Sequence, residues 1–252
     1  MTEVDLRALE IQDLTVHFGG LAALSGVQMT VQGGSRHGIL GANGAGKTTL
    51  FNVVSGFIAP TRGRVWLFGD EVTHLPPHRR ARLGLARTFQ ITTLFLDLTA
   101  LENVLMASLV SAGHHRRVVH PARHDRIARP MAERCLNDLG LGHLMDVPVG
   151  EVGYGEQRLL EIAVTSALAP RLLLLDEPTA GLSAAETVAV LDLVRRLPPE
   201  LTVIIIEHDL EVLFQVAEHL TVLHFGEPIA DGPAWSVRED PVVKEVYLGS
   251  RG

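Results

Sequence analysis

The sequence predicts an α/β protein whose mainly parallel sheet is flanked by helices, and three observations support this prediction. A glycine-rich loop at residues 41–48 lies between an apolar segment and a helical one. Two short apolar runs, 172–175 and 203–206, alternate with helical segments, which is the pattern of parallel strands buried on both faces. Nearer the N-terminus, residues 11–18 and 27–31 largely alternate apolar with polar side chains, as half-buried antiparallel strands do.

Composition and charge narrow the classes of function. Hydrophobic residues make up 46% of the 252 residues, which is enough for a sizeable core. The apolar runs have the length of strands and fall short of the roughly 18 residues of a membrane-spanning helix. A formal net charge of −7 argues against nucleic acid as a partner, since phosphate backbones bind basic surfaces. The single cysteine, Cys135, cannot form an internal disulfide, which agrees with a cytoplasmic location.

Local signals extend the predicted order of elements. A helix is expected over residues 47–57 and a strand over 63–68, and residues 100–140 form a helical stretch with an Arg/His-rich interruption at 113–130. After residue 155 the expected order is helix, strand, helix, strand, helix. Two helices begin at capping boxes, in which a hydroxyl and a carboxylate satisfy free backbone N–H groups: Thr99 with Glu102, and Ser183 with Glu186.

The loop at residues 41–48 reads Gly-Ala-Asn-Gly-Ala-Gly-Lys-Thr and fits the phosphate-binding pattern G-x-x-x-x-G-K-[ST]. Its glycines let the backbone curl so that several N–H groups point at phosphate oxygens, and the following helix adds its positive dipole end. We expect Lys47 to reach the β- and γ-phosphates of ATP and the Thr48 hydroxyl to ligate Mg²⁺. The alternative is a plain glycine turn between a strand and a helix.

Two carboxylates, Asp176 and Glu177, follow the apolar run at 172–175. The carboxyl ends of strands are where open α/β sheets bind their ligands. We expect Asp176 to hold Mg²⁺ through a water and Glu177 to polarise the attacking water as a general base. Taken alone, an acidic pair after a strand is also an ordinary start of a loop.

A second glycine segment, residues 151–158, precedes a helix that we expect to run to about residue 168. Glycines ahead of a helix N-terminus form another anion site. A single ATP does not need two such sites on one chain, whereas two chains that face each other head to tail would use both. The segment therefore predicts a dimer in which each chain closes the other's pocket, with a plain loop before a helix as the alternative.

In this order, the motifs resemble those of the nucleotide-binding subunit of an ATP-binding-cassette (ABC) transporter, over nearly the full length of the chain. The resemblance implies a P-loop NTPase fold with a mainly parallel sheet flanked by helices, an antiparallel β subdomain and a helical subdomain. The helical subdomain is expected at about residues 91–168 of a single domain, 1–252. The implied cofactors are ATP and Mg²⁺.

The resemblance also assigns roles to individual residues. Gln90 would sense Mg²⁺ and the attacking water and couple to the membrane subunit, His208 would contact the γ-phosphate and orient the water, and Phe18 would stack on adenine. Taken alone, Gln90 is equally a surface amide, His208 a polar residue at a strand end, and Phe18 a core aromatic. The residues that would contact nucleotide are Phe18, Asn43, Gly44, Ala45, Gly46, Lys47, Thr48, Thr49, Gly153, Tyr154, Gly155 and Glu156; those for the metal are Thr48, Gln90 and Asp176.

Within that superfamily, the chain most resembles the subunits that serve branched-chain amino acid uptake. Six segments carry this resemblance: Gly19-Gly-Leu, Ala86-Arg-Thr-Phe-Gln90, Leu96-Asp-Leu-Thr-Ala-Leu-Glu-Asn103, Tyr154-Gly-Glu-Gln-Arg158, Glu207-His-Asp and Glu239-Asp-Pro-Val-Val-Lys-Glu-Val-Tyr-Leu-Gly249. Such systems carry branched-chain amino acids, other amino acids, or urea and short amides. The implied partners are a second ATP-binding subunit (a different chain, with a homodimer as the alternative), two transmembrane permease subunits and, indirectly, an extracytoplasmic substrate-binding protein. The implied location is the cytoplasmic face of the membrane.

The chain departs from the family pattern at two positions. The signature normally begins Leu-Ser and here begins Val152-Gly153, so the serine that would bind the opposite subunit's γ-phosphate is missing. A hydrogen bond to a charged group is worth roughly 1.5–3 kcal/mol, so its loss would slow hydrolysis by about one to two powers of ten. We therefore expect an unequal pair, in which this chain's own pocket is the faster one. Ser183 stands where many cassettes have aspartate, and we expect it to cap its helix.

The segment at 113–130 contains four histidines and five arginines. Its spacing matches no standard set of metal ligands, and the arginines would repel a cation. A solvated loop is the favoured interpretation, with contact to lipid headgroups or a membrane subunit as the alternative.

Two other functions stay open beside an ATPase motor. The first is a regulatory clamp whose ATP-driven dimerisation matters more than its turnover. The second is a non-transport ABC protein in DNA repair or translation, which would need a second cassette or long coiled arms.

Overall fold

The computed structural model describes residues 7–88, 94–114 and 125–248. It divides into two compact units: the first comprises Met1–Leu85 and Pro199–Gly252, and the second comprises Ala86–Pro198. Gln90 and much of the Arg/His-rich segment lie outside the described residues. The single domain with a helical subdomain at about 91–168 stays a prediction. No helix in the described part of the chain is long and apolar enough to cross a bilayer.

Strands and helices alternate along the chain, singly or in short groups. The strands are β1 (Arg7–Phe18), β2 (Leu21–Gln32), β3 (Arg36–Gly41), β4 (Arg62–Leu67), β5 (Asp70–Glu71), β6 (Leu85–Arg87), β7 (Leu172–Asp176), β8 (Thr202–Glu207), β9 (His219–His224) and β10 (Glu227–Pro233). The α-helices are α1 (Lys47–Ser55), α2 (Pro77–Arg82), α3 (Ala100–Ser111), α4 (Ala128–Asp138), α5 (Tyr154–Ala167), α6 (Ala184–Arg196), α7 (Leu210–Phe214), α8 (Ala234–Glu239) and α9 (Pro241–Val243). Short 3₁₀ helices cover Gly142–Leu144 and Val149–Glu151, and a π-helical turn covers Lys244–Leu248.

A four-stranded antiparallel sheet in the first unit has the order β2-β1-β4-β5. The predicted alternation is present: Val27, Met29 and Val31 of β2 are buried, and the residues between them are exposed. Both β1 and β2 are longer than the predicted strands. This sheet is the antiparallel part that the sequence led us to expect.

A second group of strands in the first unit lies in the order β10-β9-β3-β8. Strand β3 runs parallel to both neighbours, with its Leu40 opposite Glu207 of β8 and Val222 of β9. All six residues of β8 are buried, as the apolar run predicted. Because parallel strands end at the same edge, the carboxyl ends of β3, β8 and β9 lie together where the loop at 41–48 begins.

The hairpin of β9 and β10 was not predicted from the sequence. Its two turn residues, Phe225 and Gly226, have φ values of +46° and +84°. Tight hairpin turns of this kind usually carry Asn-Gly or Asp-Gly, because those residues tolerate positive φ. Phe225 gives no such signal, so the turn could not be recognised.

A chain of polar side chains, from buried His37 and Thr221 to exposed Asp231, joins the three strands β3, β9 and β10. Thr221 donates a hydrogen bond of 2.5 Å to Asp231, and it therefore accepts the 2.8 Å bond from Nε2 of His37. Burial, with a smaller contribution from His219, lowers the pKa of His37 to about 4. His37 is thus neutral near pH 7, which lets it lie buried at the start of β3.

Helices α3, α4 and α5 pack together in the second unit, which also contains β6 residues and the fully buried strand β7. Both predicted capping boxes are confirmed: Thr99 with Glu102 at α3, and Ser183 with Glu186 at α6. Their local spacing explains why the sequence was sufficient to find them.

The carboxyl end of α1 is held by a buried arginine. The helix ends at Ser55, two residues before the predicted end, because Gly56 turns the chain with a φ of +81°. The Arg80 guanidinium donates four hydrogen bonds to backbone carbonyls of the first unit: to Val53 (2.6 Å), Val54 (2.8 Å), Leu75 (2.9 Å) and Thr73 (3.1 Å). Burial lowers the pKa of Arg80 to about 10, so the side chain stays charged at neutral pH and favours the negative end of α1.

Replacing Arg80 should therefore destabilise the protein strongly. Arg80→Met leaves four carbonyls without this donor, and we expect the free energy of unfolding in urea to fall by about 3 kcal/mol or more. Arg80→Lys keeps the charge but not the planar fork, and should recover only part of the loss. Arg79→Met, at an exposed position of the same helix, is the control and should cost about 0.5 kcal/mol or less. Equal unfolding of the Arg79 and Arg80 variants would contradict this role.

Candidate nucleotide site

The loop at residues 41–48 joins β3 to α1 through backbone that only glycine adopts easily. Gly44 and Gly46 have φ values of +81° and +100°. A Cβ atom on Gly46 would lie 2.7 Å from the carbonyl oxygen of Ala23, and one on Gly41 would lie 3.0 Å from that of Leu223. The glycines therefore allow the loop to pack directly against β2 and β9.

The β9–β10 turn fixes the middle of this loop. The N–H of Gly226 donates to the carbonyl of Ala45 at 3.0 Å, and the N–H of Ser25 donates to the carbonyl of Gly226 at 2.9 Å. One turn residue thus connects β2 to the loop. No local signal predicted this contact, because the turn itself was not recognised from the sequence.

Lys47 is 5% exposed and lies along its own loop. Its Nζ donates to the carbonyl oxygens of Gly41 at 2.6 Å and Ala42 at 3.2 Å. No side chain caps the N-terminus of α1, since its N-cap residue is Gly46. A lysine ammonium beside an uncapped helix N-terminus is suited to bind an anionic phosphate.

The predicted nucleotide contacts of this loop differ in exposure. Asn43, Gly44 and Thr48 are exposed, whereas Ala45 is buried. Gly46 and Thr49 are partly buried. Thr48, which the motif assigns to Mg²⁺, is thus among the exposed residues.

His208 lies beside the phosphate loop. It directly follows Glu207 of β8, which pairs with Leu40 of β3 in the parallel register. The segments after β8 and β3 therefore begin at the same edge of the sheet. The His208 side chain is 55% exposed, with Nδ1 at 3.8 Å from the fully buried Glu207 carboxylate. Phe18 ends β1 and is 50% exposed, so the alternative that it is a core aromatic is wrong.

Asp176 ends β7 in the second unit and is 2% exposed. Its Oδ2 accepts a 2.7 Å hydrogen bond from the Arg87 guanidinium. Its Oδ1 is buried without a hydrogen-bond partner among the described residues. Such an oxygen can accept a hydrogen bond from a water bound to a metal ion. This supports the predicted role of Asp176 toward Mg²⁺.

Glu177 adopts a left-handed backbone conformation, with a φ of +45°. For a residue other than glycine this costs about 1–2 kcal/mol, and such strain is concentrated at functional positions. The Glu177 carbonyl accepts hydrogen bonds from the Ala180 N–H at 3.1 Å and the Arg158 guanidinium at 3.3 Å. Arg158 also binds Glu161 at 2.8 Å, and both side chains are buried. Arg158 thus joins α5 to the strained residue.

The second glycine segment forms the start of α5. Gly153 is the N-cap residue and has extended backbone, with no side-chain cap. Gly153 and Tyr154 are exposed, Gly155 is buried, and Glu156 is partly exposed. A Cβ atom on Gly153 would have only Glu156 Oε2 near it, at 3.9 Å, so a serine would fit there.

Glu186 connects the starts of α5 and α6. Its carboxylate accepts hydrogen bonds from the hydroxyl and N–H of Ser183 and from the N–H of Gly155, and these bonds lower its pKa. A Cβ atom on Gly155 would lie 2.4 Å from Glu186 Oε1, so a larger residue here would displace the Glu186 carboxylate. Ser183 caps its helix, as expected.

The predicted residues are therefore distributed over two units. The first unit contains Phe18, the loop at 41–48 and His208, and the second contains Asp176, Glu177 and the segment at 151–158. Sequence reasoning missed Arg87 and Arg158 as supports of the two acids. Each stood within a quoted motif, but nothing in the motif indicated its partner.

Comparison with known proteins identifies the family. A family model described as ABC transporter matches residues 24–180. The high-affinity branched-chain amino acid transport ATP-binding protein BraF of Pseudomonas aeruginosa is 40% identical, over 96% of this chain and 97% of its own length. The corresponding protein LivG of Escherichia coli K12 is 34% identical, over 96% and 97%.

Solved structures agree with this match. A nucleotide-free ATP-binding cassette from an ABC transporter superposes with a TM-score of 0.81 at 29% identity, over 97% of this chain and 100% of its own. A cassette in its ADP conformation gives a TM-score of 0.82 at 29% identity, over 97% and 99%. The predicted fold class and the family resemblance are confirmed. The chain therefore belongs to the ABC transporter family, and it is an ATP-hydrolysing cassette of that family.

Proposed function

We propose that the chain is the motor subunit of an importer for branched-chain amino acids or related small polar or amide substrates. The observation that carries the substrate class is its 40% identity, over 96% of the chain, to a branched-chain amino acid transport protein. The observation that supports turnover is the pair of acids at the end of β7: one has a buried oxygen with no hydrogen-bond partner in the described part of the chain, and the other has strained backbone.

In this proposal, the phosphate loop binds the triphosphate. The loop amides and Lys47 hold the β- and γ-phosphates, Thr49 completes the loop contacts, and Phe18 stacks on adenine. Thr48, Gln90 and Asp176 would hold Mg²⁺, which supplies charge neutralisation to the phosphates when bound. Gly153, Tyr154, Gly155 and Glu156 would contact the nucleotide of the opposite subunit.

Hydrolysis follows from the remaining residues. Glu177 accepts the proton of the attacking water, and His208 orients that water toward the γ-phosphate. Gln90 links the site to the membrane subunit. The bond from water oxygen to phosphorus forms as the bond to ADP breaks, and the products are ADP and phosphate.

The proposed assembly has two ATP-binding subunits, two transmembrane permeases and a separate extracytoplasmic binding protein, with this chain at the cytoplasmic face of the membrane. The second ATP-binding subunit is a different chain, and a homodimer is the alternative. A regulatory clamp with weak turnover is the second candidate function, because Gly153 offers no hydroxyl to the opposite nucleotide.

Glu177→Gln separates the motor from the clamp. Glutamine keeps the shape of glutamate but cannot accept the proton, so we expect ATPase activity of the assembled transporter to fall by about 100-fold or more, with ATP affinity unchanged. Amino acid uptake into proteoliposomes should be lost with it. Glu200→Gln, at an exposed position, is the control. Uptake that persists in Glu177→Gln would favour the clamp.

Arg87 is expected to position Asp176, because a buried carboxylate that loses its ion pair still carries its desolvation cost. Arg87→Met should lower the free energy of unfolding by about 3 kcal/mol. The double variant Arg87→Met with Asp176→Asn should recover part of this loss, giving a coupling energy of about 1 kcal/mol or more in urea titrations. Additive effects would contradict a specific pairing.

The unequal pair predicts a gain from Gly153→Ser. The restored hydroxyl would bind the opposite γ-phosphate and speed only the partner's slower pocket, so we expect ATPase activity of the assembled transporter to rise by up to about twofold. Gly153→Ala adds the same Cβ without the hydroxyl and should leave the rate unchanged. The same rate in both variants would count against the unequal pair.

A further inference from the structure

The C-terminal turn carries a tyrosine that contacts the phosphate loop. Tyr247 belongs to the π-helical turn Lys244–Leu248. Its hydroxyl oxygen accepts a hydrogen bond of 3.0 Å from the N–H of Ala42, and its hydroxyl donates one of 3.0 Å to the carbonyl of Leu223. The side chain thus bridges the second residue of the loop and the end of β9.

Ala42 is held by both of its backbone groups. Its N–H binds Tyr247 at 3.0 Å, and its carbonyl accepts from the Lys47 ammonium at 3.2 Å. The orientation of this one peptide unit therefore affects where the lysine ammonium lies. The Leu223 carbonyl that Tyr247 binds would also lie 3.0 Å from a Cβ atom on Gly41, beside Ala45 Cβ at 2.9 Å. Tyr247 thus acts where the loop leaves β3.

The segment before Tyr247 is anchored to the first unit. The Asp240 side chain caps α9 by accepting from the N–H groups of Val242 and Val243, at 2.8 and 3.2 Å. Val243 is fully buried, and Glu239 forms an ion pair with Lys244. These contacts restrain residues 239–244, and this restrained segment positions the hydroxyl of Tyr247.

The tyrosine remains a donor at neutral pH. Burial raises the pKa of Tyr247, and the hydrogen bond from Ala42 opposes this rise. A protonated hydroxyl can accept from one backbone group and donate to another at the same time, as the two distances require. Phenylalanine would keep the ring and lose both bonds.

We propose that Tyr247 is a positioning residue of the nucleotide site, which keeps the start of the phosphate loop in its phosphate-binding shape through Ala42. The inference rests on the proposed binding of ATP by this loop. A loop that is already ordered loses less conformational freedom when phosphate binds, so the tyrosine acts on affinity. Its two bonds go to the loop and to β9, so the chemical step is expected to change little.

The test compares Tyr247→Phe with the wild-type full-length chain. We expect the dissociation constant of Mg·ATP, measured by titration calorimetry, to rise by about three- to tenfold, the effect of about one hydrogen bond. In the assembled transporter KM should rise similarly while kcat stays within about twofold. Trp235→Phe, an exposed aromatic of α8, is the control and should change neither. Because the ring is kept, the variant should fold, which circular dichroism checks.

The outcomes separate this inference from the proposed function. If the wild type binds ATP, Lys47→Ala abolishes binding, and Tyr247→Phe binds as tightly as Trp235→Phe, the tyrosine is only a structural residue of the tail and the inference is overturned. If the wild type and Lys47→Ala bind ATP alike, the role of the loop itself is wrong. A raised dissociation constant in Tyr247→Phe alone supports the inference.

Discussion

The close packing around the phosphate loop is the constraint on which the first unit depends. Gly41 and Gly46 approach the neighbouring backbone so closely that neither position has room for a Cβ atom. With the backbone fixed in this way, Lys47 binds the first carbonyls of the loop and Ala45 binds the β9–β10 turn. The loop is held by β2, by β9 and by Tyr247 of the C-terminal turn, and we infer that it is already ordered when phosphate binds.

In the second unit, two arginines hold the acidic residues in place. Arg87 orients one oxygen of Asp176, and Arg158 supports the strained backbone of Glu177. Buried ion pairs are costly to desolvate, so they are weak sources of stability. Their value here is geometric, because each arginine fixes one of the two acids in the proposed hydrolysis mechanism. The strain at Glu177 persists because its carbonyl is held from two sides.

Local signals in the sequence were enough for the loop, the capping boxes and the buried strands, since each is encoded within a few neighbouring residues. Long-range contacts were not predictable. Arg87 lies 89 residues from Asp176, and Tyr247 lies 205 residues from Ala42. The β9–β10 hairpin was not predicted, because Phe225 occupies a turn position where asparagine is usual. The fold class could therefore be predicted from the sequence, whereas the supporting residues of the site could not.

The most direct test of a preformed phosphate loop compares the affinities of AMP, ADP and ATP for the full-length chain by titration calorimetry. If the loop supplies most of the binding free energy, ADP and ATP should bind, and AMP should bind about 100-fold more weakly, the equivalent of about 3 kcal/mol. Binding of AMP as tight as that of ATP would contradict the account, because the energy would then come from the base and the sugar.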